Sequence, residues 1–413
     1  MSRIDNMSRA DHISHTRPAP TGRTPHTPHT PHTPHTPHTP HTPHTPCTLR
    51  VLRAGICGTD LQIRRKVRPD TARTLGHEGV AEFPSEPDPD PRRRFTLFNP
   101  VDPEDQERIL GHSYDGVFQP CYDPGAAPGG GPPLVPADPA LVADLAILAE
   151  PVATVLYAWD LLTSAGPVES VGVWGAGTTG LLAALVGELR GYDVELMHHR
   201  PARLDYVEHR HVLHHSRLRG YHGGEPPEER YDAAFLCLPR EAAPRGLDEA
   251  VRFVRPGGVI DLFGGFGPGD QHERLPGHDL GAVRRSNVCG RVAGGPPTGP
   301  RHPDAGSLHP AATDHGKPLH LTGHRGTSRA HLERAQDLLL RAPERFAPLI
   351  THVVSLAHLE DCLDSMAAGS GPSPLLGEYI KVAVDPTLGA ATPSRTPDTA
   401  TPLGALSAAG APC

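Results

Sequence analysis

Hydrophobic positions in this chain change period twice. Between Thr48 and Tyr122, short apolar runs alternate with turn residues, and "TLRVLRAG", "GVAEF", "FTLFNPV" and "DGVFQPCY" each read as a β-strand. "PALVADLAILAEPVATVLYAWDLLTSAG" then places apolar residues at helical spacing, with a break expected near Glu150-Pro151. After it, strands ("VGVWG", "YDVELMHH", "YDAAFLCL", "VIDLFGGF") alternate with helices ("TGLLAALVGELRG", "GLDEAVRFVRPGG"). Such alternation predicts a parallel sheet with helices on both faces. The last periodic segment, "LERAQDLLLRAPERFAPLITHVVSLAHLEDCLDSMAAG" followed by "GEYIKVAVDP", predicts a helix, a strand, a helix and a closing strand.

The two ends follow neither period. From Thr24 to Pro46 a three-residue repeat of threonine, proline and histidine carries seven histidines, His26 to His44. Proline at every third position fixes φ and removes donors, so residues 1–46 are expected to form an extended tail without a core. Adventitious Zn, Ni or Cu binding by the histidines is the functional reading of the repeat; an expanded tract with no role is the plainer one. Residues 387–413 are short of large apolar side chains and are expected to be a second disordered tail.

Composition narrows the partners. The chain of 413 residues is 37% hydrophobic with a net charge of -8, and its longest basic block is Arg92-Arg93-Arg94, which leaves no footprint for nucleic acid. No apolar run approaches the roughly 20 residues of a membrane span, and no signal-like apolar segment opens the sequence, so the expectation is a soluble, cytoplasmic protein. Seven scattered cysteines do not suggest a disulfide framework, and reduced thiols are expected.

In "SVGVWGAGTTGLLAALVGELRG", Gly175, Gly177 and Gly180 stand in G-x-G-x-x-G spacing directly after an apolar strand and at the start of an apolar helix. The first glycine permits a tight turn, the second the approach of a pyrophosphate, and the third close packing of helix on strand. With Thr178 and Thr179 at the helix N-terminus, this is a dinucleotide-binding fingerprint. An NAD site needs an acidic residue at the end of the second strand. Here the tip is His198, followed by His199 and Arg200, while Asp193 and Glu195 come too early. A guanidinium in place of a carboxylate favours NADP, with NAD as the alternative.

"AGICGTDLQIRRKVRPDTARTLGHEG" holds Cys57 and, 20 residues on, His77-Glu78. That separation suits no short zinc hairpin, so only a folded domain could bring these groups together.

Taken in order, "AGICGTD", "LGHEGVAE", "DGVFQ", Glu150-Pro151, "VWGAGTTG", "VRPGGVIDLFG", "PLITHVVSLAHLED" and "KVAVD" resemble the zinc-dependent alcohol, polyol and threonine dehydrogenases of the medium-chain dehydrogenase/reductase superfamily, over roughly Thr48 to Pro386. The resemblance implies an α/β fold, with a GroES-like β domain enclosing a Rossmann doubly wound parallel sheet. It divides the chain into 47–160 (first part of the catalytic domain), 161–295 (nucleotide-binding domain) and 296–386 (the return segment). It implies one catalytic zinc on Cys57, His77 and Glu78, with Glu150 reaching the metal or its water, Asp60 orienting the imidazole and Thr59 relaying the proton. The implied substrate is a small secondary alcohol, of polyol, sugar or cyclitol type, or its ketone, turned over by a dimer or tetramer. A catalytically dead nucleotide- or metal-binding homologue and a zinc-free quinone reductase are the competing readings.

Two departures accompany it. The four-cysteine lobe that holds the family's structural zinc is replaced by "FNPVDPEDQERILGHSYDG", so no second zinc is expected. The hairpin that normally precedes "VLRAGICG" is missing, which predicts an exposed sheet edge.

Overall fold

The computed structural model describes residues 49–83, 94–102, 105–127, 129–221, 229–289, 308–369 and 371–406. The expectations for residues 1–46 lie outside them. Two sheets carry the architecture. The first is built from β1 (Leu49–Gly55), β2 (Glu78–Glu82), β3 (Phe95–Phe98), β4 (Cys121–Tyr122) and β5 (Leu134–Ala137). The second takes β6 (Ser170–Trp174), β7 (Asp193–His198), β8 (Arg217–Gly220), β9 (Tyr231–Leu236), β10 (Val254–Asp261), β12 (His309–Ala312) and β13 (Pro318–Thr322). Between and after these, β11 (Asn287–Val288) pairs with β14 (His324–Arg325) as a separate ribbon. The chain then returns to the first sheet as β15 (Ile350–Ser355), β16 (Lys381–Asp385) and β17 (Ser394–Arg395).

The second sheet runs β12-β13-β10-β9-β6-β7-β8. Its six parallel strands, numbered from β6 along the chain, stand in the order 3-2-1-4-5-6, the doubly wound dinucleotide-binding arrangement, with the strand order reversing between β6 and β9. The first sheet runs β17-β15-β16-β1-β2-β3-β5, with β4 on β1. Its strands come from both ends of the described chain, as the GroES-like expectation requires. The fold is therefore α/β, a GroES-like β domain with a Rossmann sheet.

A helix at Ala149–Thr163 joins the two sheets through one core. Its Val152, Val155, Trp159 and Leu162 are buried in a cluster with Leu52, Val80 and Leu97 of the first sheet and Val171, Val173 and Phe235 of the second. Trp159 stacks on Tyr192 with ring centroids 4.6 Å apart and donates to the carbonyl of Ala183. The break foreseen near Glu150-Pro151 is the start of this helix, where a proline in the first turn costs no hydrogen bond.

Several expectations are corrected. β1 is no sheet edge: it lies between β2 and β16, and β4 pairs with its first residues, so strands from elsewhere in the chain cover it. "DGVFQPCY" forms a strand only at Cys121–Tyr122. The parallel sheet does not close at residue 295, because β13 adds beside β10 and β12 beside β13. Nor are residues 387–406 an unstructured tail. Arg395 binds Asp144 through two bonds of 2.7 and 2.8 Å and reaches Asp385 at 3.2 Å, β17 pairs with β15, and Leu403 is fully buried. A charged anchor and one apolar plug hold a segment whose composition is otherwise that of a linker. Cys57, Cys237, Cys289 and Cys362 are free thiols, but Cys121 is disulfide-bonded, against the expectation of seven reduced thiols.

Among the described residues no helix is long and apolar enough to cross a membrane.

Candidate metal and dinucleotide site

β1 ends at Gly55, and the chain turns at once into a short helix, Gly58–Arg64. Asp60 makes the turn. Its Oδ2 accepts from the backbone N–H of Cys57 at 2.8 Å, its Oδ1 accepts from Gly76 N–H at 3.3 Å, and that same oxygen lies 3.7 Å from His77 Nδ1. One buried carboxylate thus fixes the loop bearing Cys57 against the start of β2, where His77 and Glu78 lie. Cys57 Sγ, a nitrogen of His77 and a carboxylate oxygen of Glu78 all fall within 4.8 Å of one another. The 20-residue gap in sequence is closed by tertiary structure alone.

Burial disfavours the charged form of the His77 imidazole, but the Cys57 sulfur and Asp60 outweigh it and raise its pKa well above the ordinary value. A site that draws protons in this way suits a cation, which displaces them. Thr59 places its hydroxyl 3.6 Å from Cys57 Sγ. Glu150 stands apart from the three clustered donors, in the first turn of Ala149–Thr163, accepting from Thr154 Oγ1 at 3.1 Å. Burial pushes its carboxyl up to about 7, with Glu78 adding to the shift and His77 opposing it.

Two neighbours of this cluster were not foreseen. Lys381, at the start of β16, is buried; its ammonium pairs with Glu78 Oε2 and donates to the carbonyl of Ile56 at 3.0 Å. Burial alone would lower its pKa, yet Glu78 and Cys57 raise it. A signal was present in the composition: of the 39 lysines and arginines only Lys66, Lys317 and Lys381 are lysines, and Lys381 stands between Ile380 and the apolar run Val382-Ala383-Val384. His112 sets its ring edge-on to His77, centroids 4.8 Å apart, with both ring nitrogens buried and without a hydrogen bond, Asp70 Oδ1 lying 4.0 Å from Nδ1; burial, then the neighbouring charges, lower its pKa to about 2. No spacing rule points to it.

The glycine-rich turn joins β6 to a helix at Thr178–Leu189. Gly175 has φ +112, and a Cβ there would stand 2.3 Å from the Cys237 carbonyl. At Gly180 a Cβ would lie 1.8 Å from the Gly175 carbonyl, which is how closely helix and strand approach. Gly177 differs. Its φ of -80 suits any residue and a Cβ would meet open space, so no contact within the chain demands glycine there. Thr178 spends its hydroxyl on the carbonyl of Ile380 at 2.7 Å, while Thr179, next to it, is half-buried. Gly180→Ala is expected to cost about 1–3 kcal/mol of stability, the range for forcing atoms into filled space. Chemical denaturation reads it, and an unchanged midpoint would mean that the turn can open.

β7 ends at His198, where the sequence places the tip. Glu195 is buried within the strand and accepts from the Tyr231 hydroxyl, so it does not face a ribose. His198 takes the Arg200 N–H on Nδ1 at 3.1 Å and stacks on His199; burial, then His199, lower its pKa to about 4, so at neutral pH it adds no charge. Arg200 is half-buried and not free: its Nη1 binds Glu378 Oε1 at 2.9 Å.

No protein-family model matches the sequence. A glucose 1-dehydrogenase of Thermoproteus tenax is 27% identical over 340 residues, covering 76% of this chain and 86% of that protein. Among solved structures, a zinc-binding dehydrogenase of Sinorhizobium meliloti bound to NADP matches with TM-score 0.54 and 18% identity, over 82% of this chain and 91% of the other. L-idonate 5-dehydrogenase of Escherichia coli matches with TM-score 0.54 and 15% identity, over 82% and 91%. An alcohol dehydrogenase of Thermotoga maritima matches with TM-score 0.55 and 16% identity, over 83% and 93%. At these identities the solved structures establish the fold, and the chain resembles the medium-chain alcohol and polyol dehydrogenases in both fold and order of motifs.

Proposed function

We propose that this protein is an alcohol dehydrogenase of the medium-chain type that oxidises a secondary alcohol, or reduces the ketone, with one zinc ion and NADP. The observation that carries the reading is the convergence of Cys57, His77 and Glu78 around one point in a chain that also holds a Rossmann sheet. Thiolate, imidazole and carboxylate are a zinc donor set, and three protein ligands leave a position for substrate oxygen. When bound, the zinc would stabilise the alkoxide and the nicotinamide would accept its hydride.

The chain's own residues have separable tasks. Cys57, His77 and Glu78 hold the ion, with Lys381 keeping one Glu78 oxygen occupied and the other available. Asp60 orients the imidazole. Thr59, on the turn beside Cys57, passes the hydroxyl proton outward, and Glu150 offers a carboxyl whose raised pKa suits exchange of protons near neutrality. Gly175, Gly177 and Gly180, with the backbone at Thr178 and Thr179, receive the pyrophosphate. Arg200 takes the 2′-phosphate, with His198 shaping the adenosine end. Residues 47–160 and 296–386, without β12 and β13 but with β17 added, make up the catalytic domain, and small hydroxylated substrates fit the carboxylate-bearing metal site; glucose 1-dehydrogenase and L-idonate 5-dehydrogenase, as relative and neighbour, support a polyol or sugar.

A panel of polyols, sugars and cyclitols assayed with NADPH/NADP and NADH/NAD tests the reading. Turnover with zinc content near one per chain supports it; turnover of quinones without zinc would replace it. Arg200→Ala is expected to weaken NADPH roughly tenfold to a hundredfold, the worth of one charge-assisted contact, and to leave NADH nearly unchanged. Equal losses in a fluorescence titration would remove Arg200 from the phosphate site.

A further inference from the structure

The three residues before β16, Glu378, Tyr379 and Ile380, reach the glycine turn and the residues that follow β7, and are held there by four hydrogen bonds. Ile380 O accepts from the Thr178 hydroxyl at 2.7 Å, Tyr379 O accepts from Arg203 Nη1 at 2.7 Å, and Glu378 closes the arrangement. Its Oε1 binds Arg200 at 2.9 Å and its Oε2 binds Arg203 at 2.8 Å. Arg203 is also tied to the carbonyl of Ala176 in the glycine turn at 3.0 Å, so it belongs to the framework. Arg200 is the adjustable member: its Nη1 is held by Glu378 and its buried Nε has no partner.

We propose that Glu378 is a specificity-determining residue for the dinucleotide, an acid supplied from the far end of the chain that competes with a ribose 2′-phosphate for Arg200. The inference rests on the reading of Arg200 as the phosphate contact. At the end of the second strand the sequence has no carboxylate, yet the fold brings one there. A dianionic 2′-phosphate must either displace Glu378 from Arg200 or bind beside its negative charge; a ribose without the phosphate faces neither cost. Glu378 thus lowers the preference for NADPH over NADH below what an unopposed arginine would give.

Glu378→Gln keeps the shape and one acceptor while removing the charge. It is expected to tighten NADPH about tenfold and to change NADH by less than about twofold, with 2′,5′-ADP against 5′-AMP following the same pattern by calorimetry. In an Arg200→Ala background the gain should fall to less than about threefold, because the competition is for that guanidinium. An equal change in both cofactors, no change in either, or a full gain without Arg200 would overturn the proposal. A wild-type preference for NADH together with a shift toward NADPH in E378Q would instead count against the NADP assignment and sustain the role of Glu378. If E378Q does not fold, E378D, whose carboxylate draws back from Arg200 by one methylene, is expected to shift the ratio in the same direction by a smaller factor, and an unshifted ratio would overturn the proposal.

Discussion

A Cys57→Ser, His77→Ala variant should retain no tightly bound zinc after dialysis against chelator and should lose turnover by about a thousandfold or more. Two of the three donors that converge within 4.8 Å are removed, leaving a carboxylate whose one oxygen is already engaged by Lys381. A bound metal ion would supply charge stabilisation worth several kcal/mol, and each 1.36 kcal/mol is a factor of ten in rate. Metal analysis and initial rates on the same preparation read the two effects together. Full zinc occupancy in the variant would refute the ligand assignment, as would two tightly bound zincs per wild-type chain after the same dialysis. NADPH affinity should be nearly unaltered, since the glycine turn lies in the other sheet, and this separates loss of the metal from loss of the fold.

The second large effect concerns Lys381 and Glu78, each almost wholly inaccessible to water. Replacing the lysine by methionine leaves the Glu78 carboxylate buried without its partner, and breaking such a pair typically costs about 3–5 kcal/mol. Lys381→Met should therefore lower the stability of the zinc-free protein by about that amount in a guanidinium titration. Zinc should restore part of it, because the metal offers the carboxylate another cation. Glu78→Gln in the same background should also recover much of the loss, since no uncompensated charge remains. A loss below about 1 kcal/mol for Lys381→Met alone would show that water or another group reaches Glu78 when the ammonium is gone.

The two effects differ in what they owe to the sequence. Cys57, His77 and Glu78 could be picked out by residue type and by the order of the motifs around them, because a thiolate, an imidazole and a carboxylate are chemically conspicuous. Glu378 could not, and for Lys381 the sequence marks an out-of-place lysine but not its partner. Each lies over 170 residues from its partner, and an ion pair leaves no local period to detect.

What the sequence by itself determined is whatever depends on neighbours along the chain. The alternation of apolar runs set the strands and helices of the α/β fold, the glycine spacing set a turn that needs glycine at 175 and 180, and the end of β7 at His198 followed from where its apolar run stops. Tertiary structure alone decided the rest. It brought β16 beside β1 and so put Lys381 on Glu78, it seated Arg395 on Asp144 in a stretch with the composition of a linker, and it placed Glu378 on Arg200. Buried charges must be matched by partners wherever the chain can supply them, and that supply is set by the packing of whole sheets, not by any local pattern.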